Sequence, residues 1–262
     1  MKKIHPSAVI EDGAVLGDDV VVEAYSYISS GSIIGNNVCI KQGARILANT
    51  QIGDDSTIFS YAIVGDIPQD ISYNDDINSG VIIGKKATIR EFVTINSGTA
   101  KGDGFTRIAD NAFIMAYCHI AHDCNIGNNV ILANNATLAG HVEIGDFAVV
   151  GGLTPIHQFV KVGEGAMIAG ASALSQDIVP FCLAEGNRAS IRSLNLVGIR
   201  RRFDKEEVEI LNKAYKRLFN KGDLKENALA LLDETNSDNV KKMCEFILNT
   251  SRGIPMYRRK NQ

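Results

Sequence analysis

Four of the five histidines in this 262-residue chain crowd into one region, as His119, His122, His141 and His157. Histidine is the side chain best suited to take and return a proton near neutral pH. Asp123 follows His122 directly and can hold its imidazole in one tautomer. Gly140 has no side chain to obstruct its N–H, which can donate to an oxygen that acquires negative charge. A base, an orienting carboxylate and an oxyanion donor are the equipment for transferring an acyl group to a hydroxyl. A single histidine at a turn is ordinarily a solvated polar residue, so the chemistry depends on whether the fold gathers these groups.

The element that must gather them is a repeat. Aliphatic residues recur every six positions from Ile4, Ile10 and Leu16 to Val64, resume at Ile83, Ile89 and Ile95, and run again from Ile108 to Leu174, making 26 hexads. Small residues such as Ala8, Ala14, Ser26, Ala44, Cys118 and Ala136 stand four places after an aliphatic, and Gly followed by Asp or Asn marks many corners. Gly and Asn tolerate the left-handed backbone angles that a sharp corner needs. A period of six is neither helical nor a strand alternation. Three short strands joined by three tight corners make a triangular coil with its aliphatics pointing in, and at about 4.8 Å per coil the hexads build a prism about 40 Å long.

Counting three hexads to a coil puts the corners after Ile120, Leu138, Ile156 and Leu174 in one vertical column. Two stretches, 65–82 and 96–107, interrupt the repeat after Val64 and Ile95. Read as bulged corners that add no full strand, they fall in the same column. The four histidines lie in or beside it, with Gly140 directly over His122 and about 4.8 Å away. In a repeat protein the face that collects loops and non-repeat polar residues is usually the binding face. A pocket built on one corner of a thin wall closes only against a neighbouring subunit, which predicts a C₃ homotrimer.

The repeat fades after Leu174, and from Asp204 the period changes to 3.6. Asp204 and Glu207 read as a capping box ahead of Val208, Leu211, Tyr215 and Leu218, and Gly222 reads as the end of that helix. Two further helices carry Leu224, Ala228, Leu231 and Leu232, then Val240, Met243, Ile247 and Leu248. The expected organisation is a mainly β prism over 1–189 with insertions at 65–82 and 96–107. A C-terminal α-helical domain over 190–262 then covers strand edges that would otherwise template aggregation.

Composition narrows the function classes. With 45% hydrophobic and 22% charged residues the chain reads as a globular protein, and a net charge of −3 argues against non-specific nucleic-acid binding. No apolar run approaches a membrane span and no signal core follows the first residues, so no membrane insertion is expected. Five cysteines without a CxxC pair or zinc spacing fit a reduced, cytoplasmic protein with no metal. Cys118 and Cys124 fall at small-filler positions and read as packing.

The run His119-Ile-Ala-His-Asp-Cys124, then Ile131-Leu-Ala-Asn-Asn-Ala-Thr-Leu-Ala-Gly-His141 and Ile156-His-Gln-Phe159, closely resembles the acyl-ACP:UDP-N-acetylglucosamine O-acyltransferases, a hexapeptide-repeat family. The likeness continues through Ala184-Glu-Gly-Asn187, Gly198-Ile-Arg-Arg-Arg202 and Ser251-Arg-Gly253, and so covers essentially the whole chain. It implies a left-handed parallel β-helix, the first step of lipid A synthesis in a Gram-negative bacterium, and a homotrimer with sites between subunits. It also implies that His122 is the general base, Asp123 its orienter and Gly140 the oxyanion donor. Gln69, Asp70, His119, His141, His157, Gln158, Asn195, Arg201 and Arg202 match positions that bind the sugar nucleotide or the acyl chain. The implied partners are acyl carrier protein, whose phosphopantetheine carries the acyl donor, and UDP-N-acetylglucosamine. No bound cofactor is implied.

The chain departs from the family pattern at four places. Ser72 replaces a lysine, so a basic contact in that loop is lost or supplied by another residue; Asn96 and Arg188 replace histidines, and Val197 replaces a glutamate. The Arg200-Arg-Arg202 run reads equally as a solvated helix approach or as a site for nucleotide phosphates or the acidic carrier protein. Gly170, roughly 13 Å along the axis from His122, reads either as a corner glycine needed for its backbone angles or as room for the terminal methyls of a long acyl chain. The family resemblance favours such a ruler.

Competing functions are the UDP-3-O-acylglucosamine N-acyltransferase of the same pathway and a γ-type carbonic anhydrase-like zinc enzyme. The first has an additional domain before its hexads, whereas Ile4 already opens the repeat here. The second does not match the His119-x-x-His122 spacing. A non-catalytic scaffold would leave the clustered histidines unexplained.

Overall fold

The computed structural model describes residues 1–47, 49–73, 78–220 and 222–256, so positions 74–77 of the first insertion lie outside the described residues. Each hexad forms a strand of about two residues, and its second residue is the aliphatic that points inward. Strands pair in parallel with their equivalents one coil away, as in Lys3↔Val21 and Ile4↔Val22. Three faces result. The first has eleven strands and begins with Lys3–Ile4; the second has eight, from Val9–Ile10 to Pro155–Ile156; the third has eight, from Val15–Leu16 to Lys161–Val162. The fold is a left-handed parallel β-helix of hexapeptide repeats followed by helices.

The core is one file of aliphatics. Ile28, Ile40, Ile58, Ile89, Ile114 and Ile120 are each 0% exposed, and fillers such as Ala44, Ala62, Ala136 and Ala148 are equally buried. A triangle this narrow has no room for large rings, which explains the 6% aromatic content. The corners carry the conformational cost. Asp19, Asn37, Asp55, Asn111 and Asn129 adopt φ between 54° and 58°, or 61° for Asp55, on the third-to-first corner. Their short polar side chains tolerate that region. The first-to-second corner instead carries exposed Tyr25, Tyr61, Phe92, Tyr117 and Leu153. Tyr61, Phe92 and Tyr117 form a ladder of stacked rings with centroids 5.4 and 5.1 Å apart.

Both insertions emerge at the second-to-third corner. The second face pairs Val64↔Ile95, Ile95↔Ile120, Ile120↔Leu138 and Leu138↔Ile156, and a bridge Ile156↔Leu174 extends it. The pairing shifts by a bulge between Val64 and Asp66, and the chain re-enters on the third face at Gly80–Ile83 and Phe105–Ile108. The column inferred from hexad counting is therefore correct, because neither insertion hides an extra strand.

Above the last coil, Cys182–Glu185 extends the first face in parallel and Ser190–Leu194 returns antiparallel to it. Helices α1 (Leu196–Arg202), α2 (Lys205–Leu218), α3 (Leu224–Glu234) and α4 (Asp238–Leu248) follow. Periodicity missed the hairpin and the short α1. It also placed the α2 end too late: α2 stops at Leu218 with Phe219 as its C-cap, ahead of Gly222. Only half of the capping box forms. The Asp204 side chain accepts from the Glu207 N–H, but the Glu207 carboxylate accepts from Ser237 Oγ and Asn239 Nδ2 and so ties α2 to the start of α4. Buried Asp177 fastens the end of the chain to the prism by accepting from the Lys161 N–H at 2.8 Å and from Thr250 Oγ1 at 2.6 Å.

Candidate active site

The second-to-third corner stacks two rows of side chains. His122, Gly140 and Gln158 form one row; Asp123, His141 and Phe159 form the other, because the His141 N–H donates to the His122 carbonyl at 3.0 Å and the Phe159 N–H to the Gly140 carbonyl at 3.1 Å. Asp123, His141 and Phe159 all adopt φ near 60°. The same angle recurs at corners with no polar cluster, so it belongs to the architecture rather than to the chemistry.

His122 Nδ1 lies 2.8 Å from Asp123 Oδ2, and the two side chains are 14% and 4% exposed. Since the carboxylate only accepts, Nδ1 carries the proton and the Nε2 lone pair is left for a substrate proton. Sequence reasoning missed what holds the carboxylate. The Thr99 N–H donates to Asp123 Oδ1 at 2.9 Å, Thr99 Oγ1 donates to Oδ2 at 2.7 Å, and the Asp123 N–H donates to Thr106 Oγ1. Thr99 comes from the 96–107 insertion, where no period marks individual residues. Burial, the largest single influence, pushes the Asp123 carboxyl up, but the hydrogen bonds from His122 and Thr99 and the nearby His141 outweigh it, so its pKa lies below the ordinary value.

Gly140 meets a steric requirement at this point. A Cβ there would stand 2.5 Å from His122 Cε1 and 2.7 Å from Nε2, so a side chain would occupy the space at the basic nitrogen. Among the described residues no acceptor takes the Gly140 N–H, which leaves it free for a ligand. His141 Nε2 lies 3.5 Å from Asp123 Oδ2, and its ring stacks on Phe159 at 4.5 Å. Burial holds the His141 imidazole below its usual pKa, with Asp123 opposing that shift. Burial does the same for His119, whose Nδ1 is 2.7 Å from Thr94 Oγ1 on the second face. Both rings are therefore neutral hydrogen-bonding groups near pH 7.

The other expected site residues are distributed more widely. Asp70 is tied to Lys101 and to Ser72 within the insertions, with Gln69 exposed beside it, and hydrogen bonds from Lys101 and Ser72 hold the Asp70 carboxyl well below the carboxylate range. The basic group expected at position 72 is thus present at Ser72 Oγ, contributed by Lys101 Nζ at 2.6 Å. His157 is exposed, and its Nδ1 faces the Gln158 carbonyl. Asn96 is buried, with its Nδ2 donating to the Ile67 carbonyl, while Arg188 and Val197 are exposed. Asn195 caps α1 and donates to the Gly165 carbonyl at 3.0 Å. Arg202 pairs with Glu164 and lies 3.9 Å over the Phe147 ring, whereas Arg201 is exposed. Within one chain these three stand at the third-to-first corner, away from the histidine column. Gly170 stands at the first-to-second corner.

His122, Asp123 and His141 place ligand atoms within 4.8 Å of one another. Both Asp123 oxygens already accept hydrogen bonds from protein donors, which suits a fixed carboxylate better than a metal ligand. Burial pushes the Cys118 thiol up to about 11 and the Cys124 thiol up to about 12, so neither supplies a nucleophilic thiolate. The geometry is that of a base fixed in one tautomer beside an unblocked N–H donor. Gly140→Ala is expected to lower kcat roughly 10²-fold or more by displacing the imidazole, with the far-UV circular dichroism unchanged. Activity within a few-fold of the parent would remove Gly140 from the site.

Comparison with known proteins follows this geometry. The family described as "Udp N-acetylglucosamine O-acyltransferase; Domain 2" matches residues 177–255, and "Bacterial transferase hexapeptide (six repeats)" matches 13–48 and 105–140. Acyl-[acyl-carrier-protein]–UDP-N-acetylglucosamine O-acyltransferases from Campylobacter lari and Campylobacter jejuni are 79% and 80% identical over 261 residues, covering 100% of this chain and 99% of each relative. The solved UDP-N-acetylglucosamine acyltransferase from Campylobacter jejuni superposes with a TM-score of 0.95 at 80% identity, covering 98% of this chain and 100% of that one. The Francisella novicida enzyme gives 0.93 at 34% identity, covering 98% and 95%. Joined to the hexad prism, these similarities show that the chain belongs to the acyl-[acyl-carrier-protein]–UDP-N-acetylglucosamine O-acyltransferase family.

Proposed function

We propose that this chain transfers a (3-hydroxy)fatty acyl group from the phosphopantetheine thioester of acyl carrier protein to the 3-hydroxyl of UDP-N-acetylglucosamine, the first step of lipid A biosynthesis. The observation that carries the catalytic assignment is the Thr99–Asp123–His122 chain of hydrogen bonds ending on a free Nε2. His122 Nε2 takes the hydroxyl proton as the oxygen attacks the thioester carbonyl. The Gly140 N–H stabilises the tetrahedral oxyanion, and Asp123 stabilises the imidazolium. Collapse breaks the C–S bond, and His122 returns the proton to the departing thiolate. The products are the 3-O-acyl sugar nucleotide and the free carrier thiol, and the step needs no cofactor beyond the carrier itself.

Gln69, Asp70, His119, His141, His157 and Gln158 surround or adjoin this corner and are assigned to binding sugar nucleotide and acyl donor. Asn195, Arg201 and Arg202 join them only if another copy of the chain brings its third-to-first corner close. A homotrimer supplies that copy, and the exposed Tyr25–Leu153 strip is an apolar surface of the kind that association covers. We place the reaction in the cytoplasm: all five cysteines are free, and among the described residues no helix is long and apolar enough to cross a membrane.

The test is turnover of a panel of acyl carrier protein thioesters with UDP-N-acetylglucosamine. His122→Ala should lose roughly 10²–10⁴ in kcat while keeping fold and assembly. A variant within a few-fold of the parent would take His122 out of the mechanism.

Gly170 is not in the left-handed region, so its backbone does not require glycine, and a Cβ there would come 3.3 Å from the Gly152 carbonyl oxygen. That supports its reading as open space at the end of an acyl path climbing across the second face. Gly170→Met should retain transfer of shorter chains and lose long ones, each excluded methylene being worth about 0.8 kcal/mol. Equal losses at all chain lengths would contradict the ruler.

A further inference from the structure

The 96–107 insertion carries a second device besides the Thr99 clamp. Between Thr99 and Gly102, whose Cβ would come 2.4 Å from Asp123 Oδ1, the chain presents Lys101. Lys101 Nζ donates to Asp70 Oδ2 at 2.8 Å and to Ser72 Oγ at 2.6 Å, so the second insertion fastens a turn of the first. Asp70 closes that turn on itself, its Oδ1 accepting from the Ser72 N–H and Ser72 Oγ. The charges of Lys101 and Asp70 both act on His141, which puts this pair beside the histidine column. An ammonium has three N–H donors, of which two are used here. The Lys101 side chain is 59% exposed, so the third is accessible to a ligand.

We propose that Lys101 is a positioning residue for the acceptor substrate: it holds the Asp70–Ser72 turn beside the His122–Asp123 pair and donates its remaining N–H to the acceptor's diphosphate. The proposal rests on the function argued above. Lys101 neutralises Asp70, and without it an anionic acceptor meets an unpaired carboxylate. A compact ammonium on a flexible stem suits a phosphate oxygen. Asp123 is held by Thr99 and His122, neither of which needs the Lys101 ammonium, so loss of that charge leaves the base in place. The signature is therefore on acceptor binding and not on the chemical step.

The experiment compares the full-length parent, Lys101→Gln, Lys101→Arg and the double variant Ser72→Lys/Lys101→Gln by steady-state kinetics and thermal melting. Lys101→Gln should raise KM for UDP-N-acetylglucosamine about 10-fold or more, with kcat within about 3-fold and KM for the acyl carrier thioester within about 2-fold. Lys101→Arg should fall between it and the parent. A lysine at 72 can place its ammonium where Lys101 Nζ now lies, so the double variant should recover most of the loss. The parent's acceptor KM should rise with salt more steeply than that of Lys101→Gln. An unchanged acceptor KM, or a loss in kcat with a lowered Tm that Ser72→Lys does not restore, would overturn the proposal. A parent inactive with every thioester on UDP-N-acetylglucosamine would overturn the underlying reading, and this one with it.

Discussion

One interaction repeats along the whole prism: a backbone N–H bonded to the carbonyl of the equivalent segment one coil away. The Ala121 N–H meets the Leu138 carbonyl, the Ala139 N–H meets the Ile156 carbonyl, and the His141 N–H meets the His122 carbonyl, each at 3.0 Å. Parallel pairing at this spacing leaves no freedom to slip, because a shift of one residue would turn every inward isoleucine outward. The catalytic corner inherits that rigidity. Gly140 stands over His122, and His141 over Asp123, for the same reason that Leu138 stands over Ile120. Side chains from residues far apart in sequence are thereby set at hydrogen-bonding distances without any dedicated support.

Registry alone gives a convex corner, and the two insertions supply the remaining features. They leave at Val64 and Ile95, directly beneath Ile120, and return on the third face. The upper insertion buries the Asp123 carboxylate under Thr99 and Gly102, and burial with three donors is what makes it a fixed, ionised partner for His122. An imidazole oriented this way loses little entropy on reaching its reactive geometry. The cost falls on the glycines: Gly102 and Gly140 each lie where a methyl group would collide with the catalytic pair.

The prism, its column of corners and the place of His122, Asp123, Gly140 and His141 were legible in the sequence because one period governs them all. Thr99 and Lys101 were not, because an insertion has no period from which to read a contact. Ser72 was seen as a lost basic contact, but only the folded loops show Lys101 reaching it. Helix α1 is too short for its 3.6 period to register, and the half-formed capping box reflects a tertiary partner, Ser237, winning Glu207 from its own helix start. Asn195 and Arg202 were matched by position; in a single chain they cap α1 and pack against Phe147, well apart from His122.

The account turns on Asp123 holding His122 with its proton on Nδ1 and its lone pair on Nε2. Nitrogen-15 NMR of histidine-labelled protein reads that tautomer directly. At a pH where the ring is neutral, the His122 Nδ1 is expected at a protonated-nitrogen shift, coupled to a downfield proton, and Nε2 at an unprotonated one. Asp123→Asn should weaken that preference. A proton found on Nε2 in the parent protein would contradict the assignment of His122 as the base and of Asp123 as its orienter.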